Sequence, residues 1–201
     1  MKTAIQPIFK WTGSKQRMLA QYAPHFFPKA DFNRFVDLFA GGLTNSLWVY
    51  ENYPDKEYVL NDFNGELTSL YQTLADDVEG VINTWRECVA TWLPLDKEGR
   101  KAYYYTLRDI YCLDYEGKDA RYLSGLLMFM MQVNFNGMWK TYIKCNNRYS
   151  TPPGTCTQNQ GFFDENKIRK VAKFLSNATI LTGDFGSVEY QPGDWLYADP
   201  P

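Results

Sequence analysis

The segment that most constrains this chain is Phe35-Val36-Asp37-Leu38-Phe39, a short apolar run that passes directly into Ala40-Gly41-Gly42. Apolar runs of this length read as buried strands, and paired glycines let the chain turn sharply after one. A helical stretch follows over residues 44–53, then a second strand at residues 57–60 that ends on Asn61-Asp62. Beyond it Leu67, Leu70, Tyr71 and Leu74 recur at three-and-four spacing, the mark of an amphipathic helix. Strand, glycine turn, helix, strand and helix make a β-α-β unit, which predicts an α/β protein with a doubly wound sheet.

The middle of the chain changes character. Residues 78–93, 97–111 and 120–133 all read as helices with no strand between them, and polar, turn-rich sequence follows over 134–161. Alternation then resumes with a helix over 165–175 and strands at 179–182 and 194–198. The expected architecture is therefore a sheet domain formed by residues 1–76 and 165–201, interrupted by a mainly helical insertion over 77–164.

Composition narrows the function classes. At 201 residues and 45% hydrophobic content, the chain can bury a sizeable core. Its longest apolar run, residues 126–131, is far too short to span a bilayer, and the start shows no signal-peptide pattern. The cysteines (Cys88, Cys112, Cys145 and Cys156) have no C-x-x-C spacing, and there is a single histidine, His25. Neither a metal site nor a catalytic histidine is expected, and the thiols read as reduced and buried. The net charge of −2 argues at first against a nucleic-acid partner, but distribution matters more than the sum. Residues 120–163 carry Arg121, Lys140, Lys144 and Arg148 with no acidic residue, on a remainder holding 17 basic against 23 acidic residues. A positive segment on an acidic body suits a localised phosphate contact.

Small residues after the first strand let a ligand approach the backbone at a helix N-terminus. Asp62 stands twenty residues beyond Gly42, at the end of the next strand, where a carboxylate can accept both hydrogen bonds of a ribose diol. Dinucleotide enzymes share that geometry, but the G-x-G-x-x-G phosphate fingerprint is absent. A cofactor without pyrophosphate, S-adenosylmethionine, is favoured. Phe9-Lys10-Trp11-Thr12-Gly13-Ser14-Lys15 lacks the upstream glycine of a P-loop. It suits a loop in which Trp11 lines the methionine side of the site and Lys15 pairs with the cofactor carboxylate, or simply an anchoring tryptophan beside a surface lysine.

The last residues, Asp199-Pro200-Pro201, follow a strand, at the sheet edge where open α/β folds bind ligands. Neither proline has an N–H to compete for acceptors, so Asp199 and the Pro200 carbonyl can face a substrate together. Such an acceptor pair suits methylation of an exocyclic adenine amine, whose lone pair is conjugated with the ring. Two acceptors on its hydrogens draw the nitrogen toward tetrahedral geometry and aim the lone pair at an electrophilic methyl group.

Together Lys10-Trp11-Thr12-Gly13-Ser14-Lys15, Asp37-Leu38-Phe39-Ala40-Gly41-Gly42, Leu60-Asn61-Asp62-Phe63-Asn64, Asn136-Gly137-Met138 and Asp199-Pro200-Pro201 closely resemble the Dam-type (D12 class) DNA adenine-N6 methyltransferases. The resemblance covers essentially the whole chain. It implies a Rossmann-like S-adenosylmethionine-dependent methyltransferase sheet with an inserted, mainly helical target-recognition domain. It implies cofactor binding by Trp11, Lys15, Asp37, Phe39, Gly41, Asp62 and Asp199, and catalysis by Asp199, Pro200 and Pro201. Asp184 and Phe185 look like the residues that hold the cofactor's adenine. Double-stranded DNA would be read by Phe135, Asn136, Met138, Lys140, Arg148 and Pro152, with Phe135 and Asn136 entering the duplex where the target adenine flips out. No metal or membrane partner is implied, and the setting would be the cytoplasm of a bacterium or phage host.

Two positions depart from the family's GATC-reading pattern, which leaves the target sequence open. Lys140 stands where an arginine reads guanine, and Thr155 where a second basic reader is expected. The family also places an aromatic residue and further strands after Asp-Pro-Pro, so the sequence reads as truncated within its catalytic motif. The alternative to an active enzyme is a cofactor- or DNA-binding fragment, or half of a split methyltransferase. Oligomeric state is not legible.

Overall fold

The computed structural model describes residues 5–19, 21, 32–155 and 163–200. His25, Cys156 and Pro201 lie outside the described residues. The chain divides into two compact units. One comprises Met1–Pro7, Gly13–Ala75 and Lys170–Pro201, the other Ile8–Thr12 and Asp76–Arg169.

The first unit is built on four parallel strands: β1 (Arg34–Asp37), β2 (Glu57–Asp62), β3 (Ala178–Thr182) and β4 (Asp194–Tyr197), in the order β3-β2-β1-β4. Three helices, α1 (Thr44–Asn52), α2 (Gly65–Asp76) and α6 (Glu165–Leu175), fall between them in sequence, and α6 starts within the second unit. The first strand is shorter than its apolar run. Pairing with β2 and β4 stops at Asp37, opposite Leu60 and Tyr197, and Leu38-Phe39 already belong to the turn.

Side chains alternate across β1. On one face Phe35 meets Tyr58 and Trp195, its register partners, at ring separations of 6.0 and 5.1 Å. On the other face Val36, Leu38, Val59 and Val188 form an aliphatic cluster, with Phe39 and Leu181 packed against it. At the amino end of the sheet Arg34 forks onto its partner Asp194 at 2.9 and 2.7 Å, tying β1 to β4. The chain leaves β1 toward β2 and β3, then returns to β4 on the opposite flank. This reversal makes the carboxyl ends of β1 and β4 a topological switch point, the place where such sheets bind ligands.

The second unit is helical: α3 (Val78–Trp92), α4 (Lys97–Leu113) and α5 (Ala120–Val133). Each helix opens on an aspartate, Asp77, Asp96 or Asp119, whose side chain accepts a first-turn backbone N–H, as an N-cap requires. Arg100 lies 4.2 Å over the Trp92 ring and donates to the Trp92 and Leu93 carbonyls, capping the end of α3. α5 is buried from Ser124 to Gln132, so the longest apolar run in the sequence is the axis of this unit. At Gly125 an added Cβ would lie 2.6 Å from Thr84 Cβ, which shows how closely α5 crosses α3.

Cys88, Cys112 and Cys145 are free and buried, and burial pushes the Cys88 and Cys112 thiols up to about 12. Among the described residues no helix is long and apolar enough to cross a membrane. Nor do any three or more His, Cys, Asp or Glu side chains group so as to hold a metal ion.

Candidate active site

The carboxyl ends of the strands carry most of the residues singled out from sequence. Asp37, the last residue of β1, is buried, and its carboxylate accepts from Ser46 Oγ at 2.5 Å and the Phe39 N–H at 3.3 Å. Burial raises its pKa to about 7, against the lowering effect of those two hydrogen bonds. Gly41, at φ 43°, donates its N–H to Asp62 Oδ2 at 2.8 Å and receives the Tyr71 hydroxyl on its carbonyl. Burial holds the Tyr71 hydroxyl well above its ordinary pKa, so it remains a donor.

Leu43 enters α1 at φ 62° without a side-chain cap, in the left-handed region that non-glycine residues rarely adopt. That strain, at the turn between β1 and α1, is of the kind that collects at ligand sites.

Asp62 closes β2. Its Oδ2 accepts from Gly41 and its Oδ1 from the Asn64 N–H at 2.9 Å. Each carboxylate oxygen has a second lone pair, so the side chain is fixed in direction and retains acceptor capacity for a diol. Across β3, Asp184 caps a short turn by accepting from the Gly186 N–H, and Phe185 lies half exposed, 5.5 Å from Phe39.

After β4, Asp199 Oδ2 forms an ion pair with Lys15 Nζ at 2.8 Å. Lys15 sits in a single 3-10 turn whose preceding residue, Ser14, bonds Thr44 Oγ1 at 2.8 Å, so this loop is tied to both α1 and the β4 exit. Pro200 is exposed beside Asp199. The structure thus brings Lys15, Asp37, Phe39, Gly41, Asp62, Asp184, Phe185 and Asp199 onto the strand ends of one unit. Trp11 belongs to the other unit, where it packs against Phe9 and Trp139.

Two residues here belong to the Leu60–Asn64 block but are given no site role from sequence. Phe63 follows Asp62 and is 80% exposed, more than any other described ring, although an aromatic directly after a strand-end carboxylate was a legible signal. For Asn61, by contrast, nothing local marks the role it takes. It is buried in β2, and its Nδ2 bridges the carbonyls of Leu38 and Gly183.

In the second unit, Phe135, Asn136, Met138, Lys140 and Pro152 come together on one loop bridged at Asn134–Pro153 and Thr141–Tyr149. Asn134 organises it. Its Nδ2 donates to the Met138 carbonyl and Tyr149 Oη, and its Oδ1 accepts the Gly137 N–H. Asn136 and Gly137 both have positive φ, and a Cβ on Gly137 would lie 2.7 Å from the Lys10 carbonyl carbon. The resulting turn leaves Phe135 44% exposed. Arg148 sits differently. Its Nε bonds the Tyr111 carbonyl at 3.0 Å, and its guanidinium lies 4.6 and 4.0 Å from the Tyr111 and Tyr115 rings. This guanidinium anchors the far end of the loop to α4.

Parallel sheet, strand-end carboxylates and glycine turn place the chain in the Rossmann-like class. The family described as D12 class N6 adenine-specific DNA methyltransferase matches residues 11–201, and the chain belongs to that family. It is 28% identical over 202 residues to the type II methyltransferase M.MjaIII of Methanocaldococcus jannaschii, covering 98% of this chain and 69% of the relative. It is 30% identical over 210 residues to the type II methyltransferase M1.LlaDCHI of Lactococcus lactis subsp. cremoris, covering 100% and 66%. The DNA adenine methylase of Haemophilus influenzae is 25% identical over 202 residues, covering 100% and 65%. The chain spans about two thirds of the length of these relatives.

Proposed function

We propose that this protein transfers a methyl group from S-adenosylmethionine to the exocyclic N6 amine of a flipped-out adenine in double-stranded DNA. The observation that carries the reading is the Lys15–Asp199 pair at the β1–β4 switch point, with Asp62 already pinned by the Gly41 turn. The site suits the cofactor. An oriented carboxylate with spare lone pairs fits a ribose diol, and the exposed Phe63 and Phe185 rings fit a base.

When bound, S-adenosylmethionine supplies an electrophilic methyl group. Asp62 would accept from the ribose hydroxyls and Asp184 from the cofactor's adenine amine. Asp37 holds the Gly41 turn through Phe39 and Ser46 and need not touch ligand. Asp199 Oδ and the Pro200 carbonyl would accept the two N6 hydrogens of the target base, drawing its lone pair out of conjugation. Lys15 fixes the carboxylate's direction beforehand, so little reorganisation is left for the chemical step.

For DNA, the bridged loop offers the half-exposed Phe135 ring, which can fill the gap a flipped base leaves. Asn136, Met138, Lys140 and Pro152 share that loop, and Lys140 would reach a base or phosphate as a point charge, not as a planar fork. Arg148, already held between two tyrosines, is better suited to support the loop than to bind phosphate. A DNA substrate implies action in the cytoplasm of a bacterial or phage-infected cell, with a type II restriction-modification role as one setting.

The reading is tested with tritiated S-adenosylmethionine and duplex DNA, followed by nucleoside analysis of the product. N6-methyladenine should form with the wild type and be lost with Asp199→Ala. A folded wild type that labels no adenine would overturn it.

A further inference from the structure

We infer that Asn61 is a positioning residue for the adenine end of the cofactor site, setting the spacing between the chain segments that leave β1 and β3. The inference rests on the cofactor reading given above. Asn61 Nδ2 donates to the Leu38 carbonyl at 3.2 Å and to the Gly183 carbonyl at 3.1 Å. Both carbonyls lie just past the last paired residues of their strands, Asp37 in β1 and Thr182 in β3. One nitrogen therefore closes the sheet at the point where backbone pairing runs out.

The identity of the residue is unusual for its surroundings. Asn61 is 1% exposed, and its β2 neighbours Tyr58, Val59 and Leu60 are buried and largely apolar. Its Oδ1 has no hydrogen-bond partner among the described residues. A buried acceptor left unpaired is a cost that an apolar side chain would avoid. Two carbonyls facing Nδ2 also fix the amide's orientation, because the flipped amide would set oxygen against oxygen.

The consequence lies one and two residues downstream. Phe39 follows Leu38, and Asp184 and Phe185 follow Gly183, with the two rings 5.5 Å apart. The backbone of the same β2 end reinforces the arrangement. Ala40 N–H donates to the Asn61 carbonyl at 2.8 Å, and Gly183 N–H to the Asp62 carbonyl at 3.1 Å. Among the described residues, the Asn61 side chain adds a tie that spans all three strand ends. Without it, the β3 exit carrying Asp184 and Phe185 is held to β2 by backbone alone, through Gly183 N–H on the Asp62 carbonyl, and its spacing from the β1 exit loosens while the ribose contact stays in place.

The test compares S-adenosylhomocysteine with S-inosylhomocysteine, which has an oxo group in place of the adenine amine, by calorimetry on wild type, Asn61→Leu and Asn61→Ser. Wild type should prefer the adenine form by roughly tenfold, the scale of one well-made hydrogen bond. Asn61→Leu, which fills the same space without donors, should bind both ligands with nearly equal, weakened affinity. Asn61→Ser, with one donor, should retain part of the preference. Circular dichroism establishes that each variant is folded, and if Asn61→Leu does not fold, the serine variant is read on the same ratio. A folded variant that lowers thermal stability but keeps the wild-type ratio would overturn the inference. If wild type binds neither ligand, the cofactor reading itself falls and takes this inference with it.

Discussion

The ammonium of Lys15 lies 2.8 Å from Oδ2 of Asp199, with each side chain about one-third exposed. A pair so accessible to water contributes only about 0–1 kcal/mol to stability, so its value is geometric and not energetic. Lys15→Met should therefore shift the unfolding free energy by less than about 1 kcal/mol. Single-turnover methyl transfer should fall on the order of a hundredfold, as when one preorganised electrostatic partner is removed. Equal losses in stability and rate would instead assign the pair to folding.

Asp37 gives a pH signature. Burial raises its pKa from 3.8 to about 7, so the folded state holds a proton there that the unfolded chain releases near pH 4. The stability this protonation provides is complete below about pH 4, declines as pH rises, and is gone above about pH 7. Asp37→Asn keeps a neutral group of the same shape beside Ser46 and Phe39 and removes the titration. Urea unfolding across pH 4–8 should show wild type losing stability relative to the variant, by a few kcal/mol at most, up to about pH 7. A difference that is flat with pH, or that grows in favour of wild type, would contradict the buried-acid account.

How much of this was readable beforehand depends on how local each signal is. Leu67, Leu70, Tyr71 and Leu74 declare their helix through periodicity, and Gly41-Gly42 declare the turn, because neighbours in sequence carry those constraints. The Asp77, Asp96 and Asp119 caps are local in the same way. The bond from Asn61 to Gly183 joins residues 122 apart, and no propensity or period marks either end. Lys15 is legible as a cation near the site, whereas its ion pair with Asp199, near the other end of the chain, is set only by the fold. Arg148 was legible as positive charge, whereas its place between Tyr111 and Tyr115 depends on how the loop docks on α4.

The crossing of α5 over α3 is tight enough to exclude a methyl group. At Gly125 an added Cβ would stand 2.6 Å from Thr84 Cβ and 3.0 Å from the Val81 carbonyl. Helix propensity favours Gly125→Ala by about 1 kcal/mol, while overpacking costs about 1–3 kcal/mol. The expected net result is destabilisation, recovered less by Thr84→Ala, which removes the 2.9 Å Cγ2 contact but retains the clashing Cβ, than by Thr84→Gly. Chemical denaturation of the single and double variants gives the coupling energy, expected to be about 1 kcal/mol or more. If Gly125→Ala stabilises the protein, the close approach is absent in solution.

Asn134 offers the sharpest separation of DNA recognition from cofactor binding. Its amide donates to the Met138 carbonyl at 3.0 Å and Tyr149 Oη at 2.8 Å, while its oxygen accepts the Gly137 N–H at 3.0 Å. Those three bonds hold the positive-φ turn that presents Phe135 and Asn136. Asn134→Ala leaves the Gly137 N–H without its acceptor, while the Met138 carbonyl keeps Thr151 Oγ1, which should cost about 1–3 kcal/mol of stability. Asn134→Asp retains an acceptor for Gly137 but sets a carboxylate oxygen against the Met138 carbonyl in a buried site, so it should be destabilised at least as much. Fluorescence anisotropy at fixed salt should show weaker duplex binding for both variants, in the same order as their stability losses. Calorimetry with S-adenosylmethionine should be unchanged, because the groups assigned to the cofactor's ribose and adenine lie in the other compact unit. A variant that melts earlier yet binds duplex DNA as tightly as wild type would separate this turn from DNA recognition, and Phe135→Ala would then be expected to have no effect on binding either.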